Sequence, residues 1–143
     1  MRPSPSSTAP SAPRAAGPRV SPGIAAGVAD TAIVLAFAAT GRASHGEADP
    51  VLGALSTAWP FAVGLALAWA LPLVHRRPLS VWPAGVLAWL GAYVVGMLLR
   101  AATGQGTAVP FLIVAASVLG VALVGWRAVA LGVRAALRRR AEH

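Results

Sequence analysis

The stretch Thr107–Trp126, TAVPFLIVAASVLGVALVGW, decides the fold: it carries no charged residue over more than the roughly 18 residues that a helix needs to cross a bilayer. Two further charge-free stretches precede it, Pro78–Leu99 (PLSVWPAGVLAWLGAYVVGMLL) and Val51–Val74 (VLGALSTAWPFAVGLALAWALPLV). A fourth, Val20–Gly41 (VSPGIAAGVADTAIVLAFAATG), has similar length and is interrupted by Asp30. Four such stretches predict an all-α integral membrane four-helix bundle.

Composition agrees. Of 143 residues 57% are hydrophobic and 11% charged, whereas soluble domains carry about 25% charged residues. The spans leave no room for a second folded domain, so the chain divides into a tail (1–22), a four-span domain (23–130) and a basic tail (131–143). Cysteine is absent, which excludes disulfides and thiolate chemistry. The histidines, His45, His75 and His143, are too scattered for a metal centre. No cofactor is implied.

The net charge of +8 comes from arginines, and their placement follows the sides of a membrane rather than a nucleic-acid surface. Arg2, Arg14 and Arg19 precede the first span, Arg76 and Arg77 separate the second and third, and Arg127, Arg134, Arg138, Arg139 and Arg140 follow the fourth. The other two connections hold Arg42, with Glu47 and Asp49, and Arg100 alone. By the positive-inside rule both termini are expected in the cytoplasm, in a multi-pass protein of the cell membrane.

The first 22 residues are almost entirely Pro, Ser, Ala, Gly and Arg and predict a disordered tail. A cleaved signal peptide is the competing reading, on the A-x-A pattern Ala36-Phe37-Ala38. Prolines 22, 50, 78 and 110 are expected near helix starts. Pro83 falls in the first turns of the third span, and Pro60 is expected to bend the second.

Helices in lipid associate through small residues. Ladders at Ala54, Ala58, Ala62, Ala66 and Ala70, and at Ala84, Ala88, Ala92 and Gly96, predict two contact faces. Gly23, Gly27, Ala32, Ala36 and Thr40 on the first helix, and Ala116 and Gly120 on the fourth, extend the pattern. A continuation of the fourth helix past Trp126 places Arg127, Arg134 and Arg138 near one face, suited to anionic headgroups or to solvent.

Asp30 is the candidate for chemistry. A charged aspartate in mid-span costs about 2.5–3.5 kcal/mol on insertion scales, so it is expected to face the bundle interior with partners. Similar depth on the other helices points to Trp89 and Ser117, with Tyr93 nearby. With no arginine assigned to that depth, burial favours a protonated acid that donates a hydrogen bond. Two readings stand: a proton-coupled site, or static glue between helices.

A second candidate lies at the opposite face: Arg42, His45 and Glu47 after the first span, with Arg100 and Gln105 after the third. At an offset of 58 the two loops align, Arg42 with Arg100 and Glu47 with Gln105, which suggests a duplicated helical hairpin. Two paired arginines suit a carboxylate or phosphate; the alternative is that they snorkel to headgroups while Glu47 or Asp49 neutralises Arg42. Ser44-His45 lacks a third member for nucleophilic catalysis, and His45 with Glu47 cannot make a zinc site. Trp59, Trp69, Trp82 and Trp126 read as interface anchors.

The segments Gly41-Arg42-Ala43-Ser44-His45-Gly46, Ala58-Trp59-Pro60-Phe61, Val81-Trp82-Pro83-Ala84-Gly85, Gly96-Met97-Leu98-Leu99-Arg100 and Gly104-Gln105-Gly106-Thr107 together resemble the small four-span family catalogued as domain of unknown function 3054, over about residues 25–130. The resemblance implies a membrane protein and supplies no activity, ligand or catalytic residue. The expected function is that of a small non-enzymatic integral membrane protein in contact with lipids. Its alternatives are a carrier for a small anionic solute, ion- or proton-coupled, or an accessory subunit of a larger complex. A homo-oligomer or a membrane protein partner is compatible with the small-residue seams; nucleic acid is not expected.

Overall fold

The computed structural model describes residues 20–43 and 50–142. The tail through residue 19, with Ser44, His45, Glu47, Asp49 and His143, lies outside the described residues. Five helices follow one another: α1 (Pro22–Ala43), α2 (Pro50–Ala70), the single turn α3 (Pro72–His75), α4 (Val81–Ala102) and α5 (Val109–Ala141). α1, α2, α4 and α5 are each long and apolar enough to cross a membrane. Short connections run them alternately up and down, and they close a ring in which α1 packs on α2, α2 on α4, α4 on α5 and α5 on α1.

Local chemistry sets the boundaries. Ser21 caps α1, its Oγ accepting from the Ile24 N–H at 3.2 Å, and Pro22 and Pro50 open their helices where a missing N–H costs nothing. The second span stops at Ala70 rather than running on to Val74, because Leu71 must be extended (ψ 132°) ahead of Pro72. Trp82 is likewise extended (φ −117°, ψ 131°) ahead of Pro83, so Pro83 rather than Pro78 opens the third span. Pro78 sits in the preceding turn, and Pro60 lies within α2.

Each long helix buries one stripe. On α1 it is Ala26, Asp30, Val34, Phe37 and Ala38, on α4 Ala84, Ala88, Ala92 and Gly96, and on α5 Ala115, Leu119, Leu123 and Arg127. The α4 ladder is therefore a contact face. On α2 the expected ladder keeps Ala58 in the core, but the face then turns to Phe61, Gly64, Leu65 and Ala68, leaving Ala66 and Ala70 exposed. Gly64 explains the rotation: a Cβ there would collide with the Gly91 carbonyl, and one on Gly91 would lie 2.7 Å from the Ala68 Cβ. The crossing of α2 and α4 is thus glycine on glycine, at a wider π-type turn spanning Gly91–Val95.

Toward one end of the core three phenylalanines pack together, with Phe37 edge-on to Phe61 at 5.4 Å and Phe111 within 6.4 Å of both. α5 runs 33 residues, about 50 Å at 1.5 Å per residue against a hydrocarbon core of about 30 Å, so its basic end extends well past the ring.

Candidate functional site

Asp30 is completely buried, and so is Arg127. Their meeting follows from helix geometry. Side chains lean toward the N-terminus of their own helix, and α1 and α5 run in opposite directions, so the two lean toward each other. Arg127 Nη1 donates to Asp30 Oδ1 at 2.8 Å and Nη2 to Oδ2 at 2.7 Å, a bidentate pair. The indole Nε1 of Trp126 donates to Oδ1 and that of Trp69 to Oδ2, both at 3.0 Å.

Arg127 is held from its other sides as well. Its Nε donates to the Pro78 carbonyl at 2.9 Å, Nη1 to the Leu123 carbonyl at 2.8 Å, and the guanidinium lies 4.7 Å from the Trp126 ring centroid. Each of these four hydrogen bonds to the Asp30 carboxylate comes from an N–H donor, so both of its oxygens serve as acceptors. The clasp ties α1, α2, α5 and the turn before α4 into one unit. Removing one partner from such a pair costs about 3–5 kcal/mol, because the other charge stays buried.

The expected partners of Asp30 lie elsewhere. Trp89 donates its Nε1 to the Ala116 carbonyl at 3.0 Å and packs against Gly120. Ser117 is exposed on the outer side of α5, and Tyr93 is half-buried against the core. The expectation of no arginine at this depth fails because the Arg127 side chain, on the continuation of α5 past Trp126, leans back toward the helix N-terminus and reaches into the bundle. Arg127 therefore does not join Arg134 and Arg138 on a basic face. Trp69 and Trp126 spend their indole N–H groups on Asp30 rather than on an interface, whereas Trp59 and Trp82 are exposed. The repeat Ala115, Leu119, Leu123, Arg127 was the sequence signal for the missed arginine.

At the opposite end, Arg100 is buried and binds its own loop. Nη1 donates to Gln105 Oε1 at 3.0 Å, and Nη2 to the carbonyls of Gln105 at 2.8 Å and Gly106 at 3.2 Å. The guanidinium lies 4.5 Å from the Phe111 ring centroid and 5.9 Å from that of Phe61. Gly104 and Gly106 adopt φ of 70° and 76°, a conformation that favours glycine. Ser56, Thr57, Arg100 and Gln105 line a cavity of about 220 Å³.

Of the second candidate group, the structure thus brings Arg100 and Gln105 together. Arg42 falls in the last turn of α1 with its side chain outside the described part, and His45 and Glu47 lie outside the described residues. The clasp is not repeated between the hairpins, since the position 58 after Asp30 is the buried Ala88.

No curated protein and no solved structure matches the chain. The model of the family described as Protein of unknown function (DUF3054) matches residues 27–130, a span that holds Asp30, Trp69, Trp126 and Arg127, and the chain belongs to that family.

Proposed function

We propose that this protein resides in the cell membrane, with both termini in the cytoplasm, and acts there as a non-enzymatic binding or accessory protein rather than as an ion-coupled carrier. The observation that carries the reading is the state of Asp30. A coupling carboxylate needs a lone pair or a proton to exchange with a substrate, and this one faces four N–H donors in full burial. Arg100, the cation at the other end, holds loop carbonyls through Nη2. Membrane residence is supported by four helices of spanning length, and the orientation by the excess of arginine at one end.

Proteoliposomes loaded with a pH-sensitive dye test it. Wild-type and Asp30→Asn vesicles are expected to leak protons no faster than empty ones. Proton flux through the wild type that Asp30→Asn abolishes would instead establish the coupled carrier.

A further inference from the structure

The basic end carries a feature that the clasp supports but does not use. Between the start of α1, the turn after α3 and the extension of α5 runs a groove of about 640 Å³, lined by Pro22, Arg76, Arg77, Val81, Trp82 and Leu131 among others. A smaller hollow of about 300 Å³ shares Arg76 and Arg77 and adds Pro72, Leu73 and Pro83. Both arginines are exposed, and neither guanidinium has a hydrogen bond or ion pair to another described residue. Beside them Trp82 is 71% exposed and Leu73 56%.

We propose that this groove is a binding site for an anionic phospholipid of the leaflet on that side, its phosphate on Arg76 and Arg77 and the start of an acyl chain along Val81, Trp82 and Leu131. Charge favours an anion. The acids among the described residues are Asp30, already neutralised, and Glu142 at the far end of α5, against Arg76, Arg77, Arg134, Arg138, Arg139 and Arg140 at this end. The mixture favours a lipid over a soluble anion, because the cations border an apolar trough and an exposed tryptophan where indole rings sit at headgroup level.

The site is also preorganised. The Ser80 hydroxyl and N–H both donate to the Arg77 carbonyl, at 2.8 and 3.0 Å, and Arg127 Nε holds the Pro78 carbonyl at 2.9 Å. The turn presenting the two guanidinium groups is thereby fixed before a ligand arrives, which lowers the ordering cost of binding.

The proposal rests on the membrane residence inferred above, so the test reads the two separately. Carbonate extraction of cell membranes must leave the full chain in the pellet; release into the supernatant removes the membrane reading and the lipid site with it. The retained protein is then reconstituted with chain-brominated phosphatidylglycerol or phosphatidylcholine, and the Trp82 contribution to fluorescence is taken as the difference from Trp82→Phe.

Phosphatidylglycerol is expected to quench Trp82 at much lower mole fraction than phosphatidylcholine. The double variant R76Q/R77Q is expected to lose that preference by roughly thirty-fold, the effect of two basic side chains beside an anionic leaflet. The triple variant R138Q/R139Q/R140Q is expected to keep it, and both variants must retain wild-type helical circular dichroism. Absence of selectivity in the wild type overturns the proposal, as does selectivity lost with the tail triple and kept in the loop double. Displacement by inorganic phosphate at matched ionic strength also overturns it and assigns the groove to a soluble anion.

Discussion

Arg127 and Asp30 stand 97 positions apart in the chain and within 2.7 Å in the fold, joined oxygen to nitrogen at both prongs. The link spans the first and last of the four long helices, and closes the ring of helices with an ion pair on the side where α1 meets α5.

Breaking one half of this pair should be worse than removing both halves. Asp30→Asn or Arg127→Met alone is expected to lower stability by about 3–5 kcal/mol, by stranding the remaining group or charge. Asp30→Leu with Arg127→Met should recover part of that loss, because no uncompensated charge stays buried, although the Trp69 and Trp126 indoles lose their acceptor. Thermal unfolding in mild detergent measures all of these; equal destabilisation by single and double variants would contradict the expectation.

The two indole donors should matter individually. Trp69→Phe and Trp126→Phe each remove one hydrogen bond to a charged acceptor, worth about 1.5–3 kcal/mol, while Trp82→Phe, whose ring is exposed, should change stability little. Unfolding midpoints compared across the three variants check the ranking.

The glycine crossing makes a sharper prediction of position. Gly64→Ala and Gly91→Ala place a methyl group into the facing helix and should cost about 1–3 kcal/mol by overpacking. Gly132→Ala meets nothing within 4 Å and sits in an exposed helix, so it should stabilise by up to about 1 kcal/mol through helix propensity. A destabilised Gly132→Ala would show a contact on that face.

Arg100→Lys keeps the charge and loses the planar fork that grips Gln105 and Gly106. Hydrogen exchange across residues 101–108 should accelerate in this variant while the amides of α1 stay protected. Unchanged exchange in the loop would show that the carbonyl contacts do not order it.

The four long helices were legible because a charge-free run of spanning length has few other readings. Their ends were less so: the limits of α2 and α4 on either side of α3 are set by the extended residues Leu71 and Trp82, each dictated by the proline that follows. Asp30 announced that it needed a partner, and hydropathy hid which one. Counting Arg127 by charge placed it outside the last span, whereas its register with Leu119 and Leu123 places it inside. Depth along the axis suggested Trp89 and Ser117, but facing direction decides contact, and Ser117 points away. On α2 the abundance of alanine masked Gly64, the residue that permits the closest approach.

The pairing of the first long helix with the last also bears on how the molecule is made. A ribosome makes the chain from its N-terminus, so α1, α2 and α4 are all translated before Arg127, and Asp30 precedes its partner by 97 residues. A chain cut short before residue 127 lacks the guanidinium that grips Asp30 in the finished fold. The bond between the first and last long helices therefore forms only when nearly all of the bundle has been made.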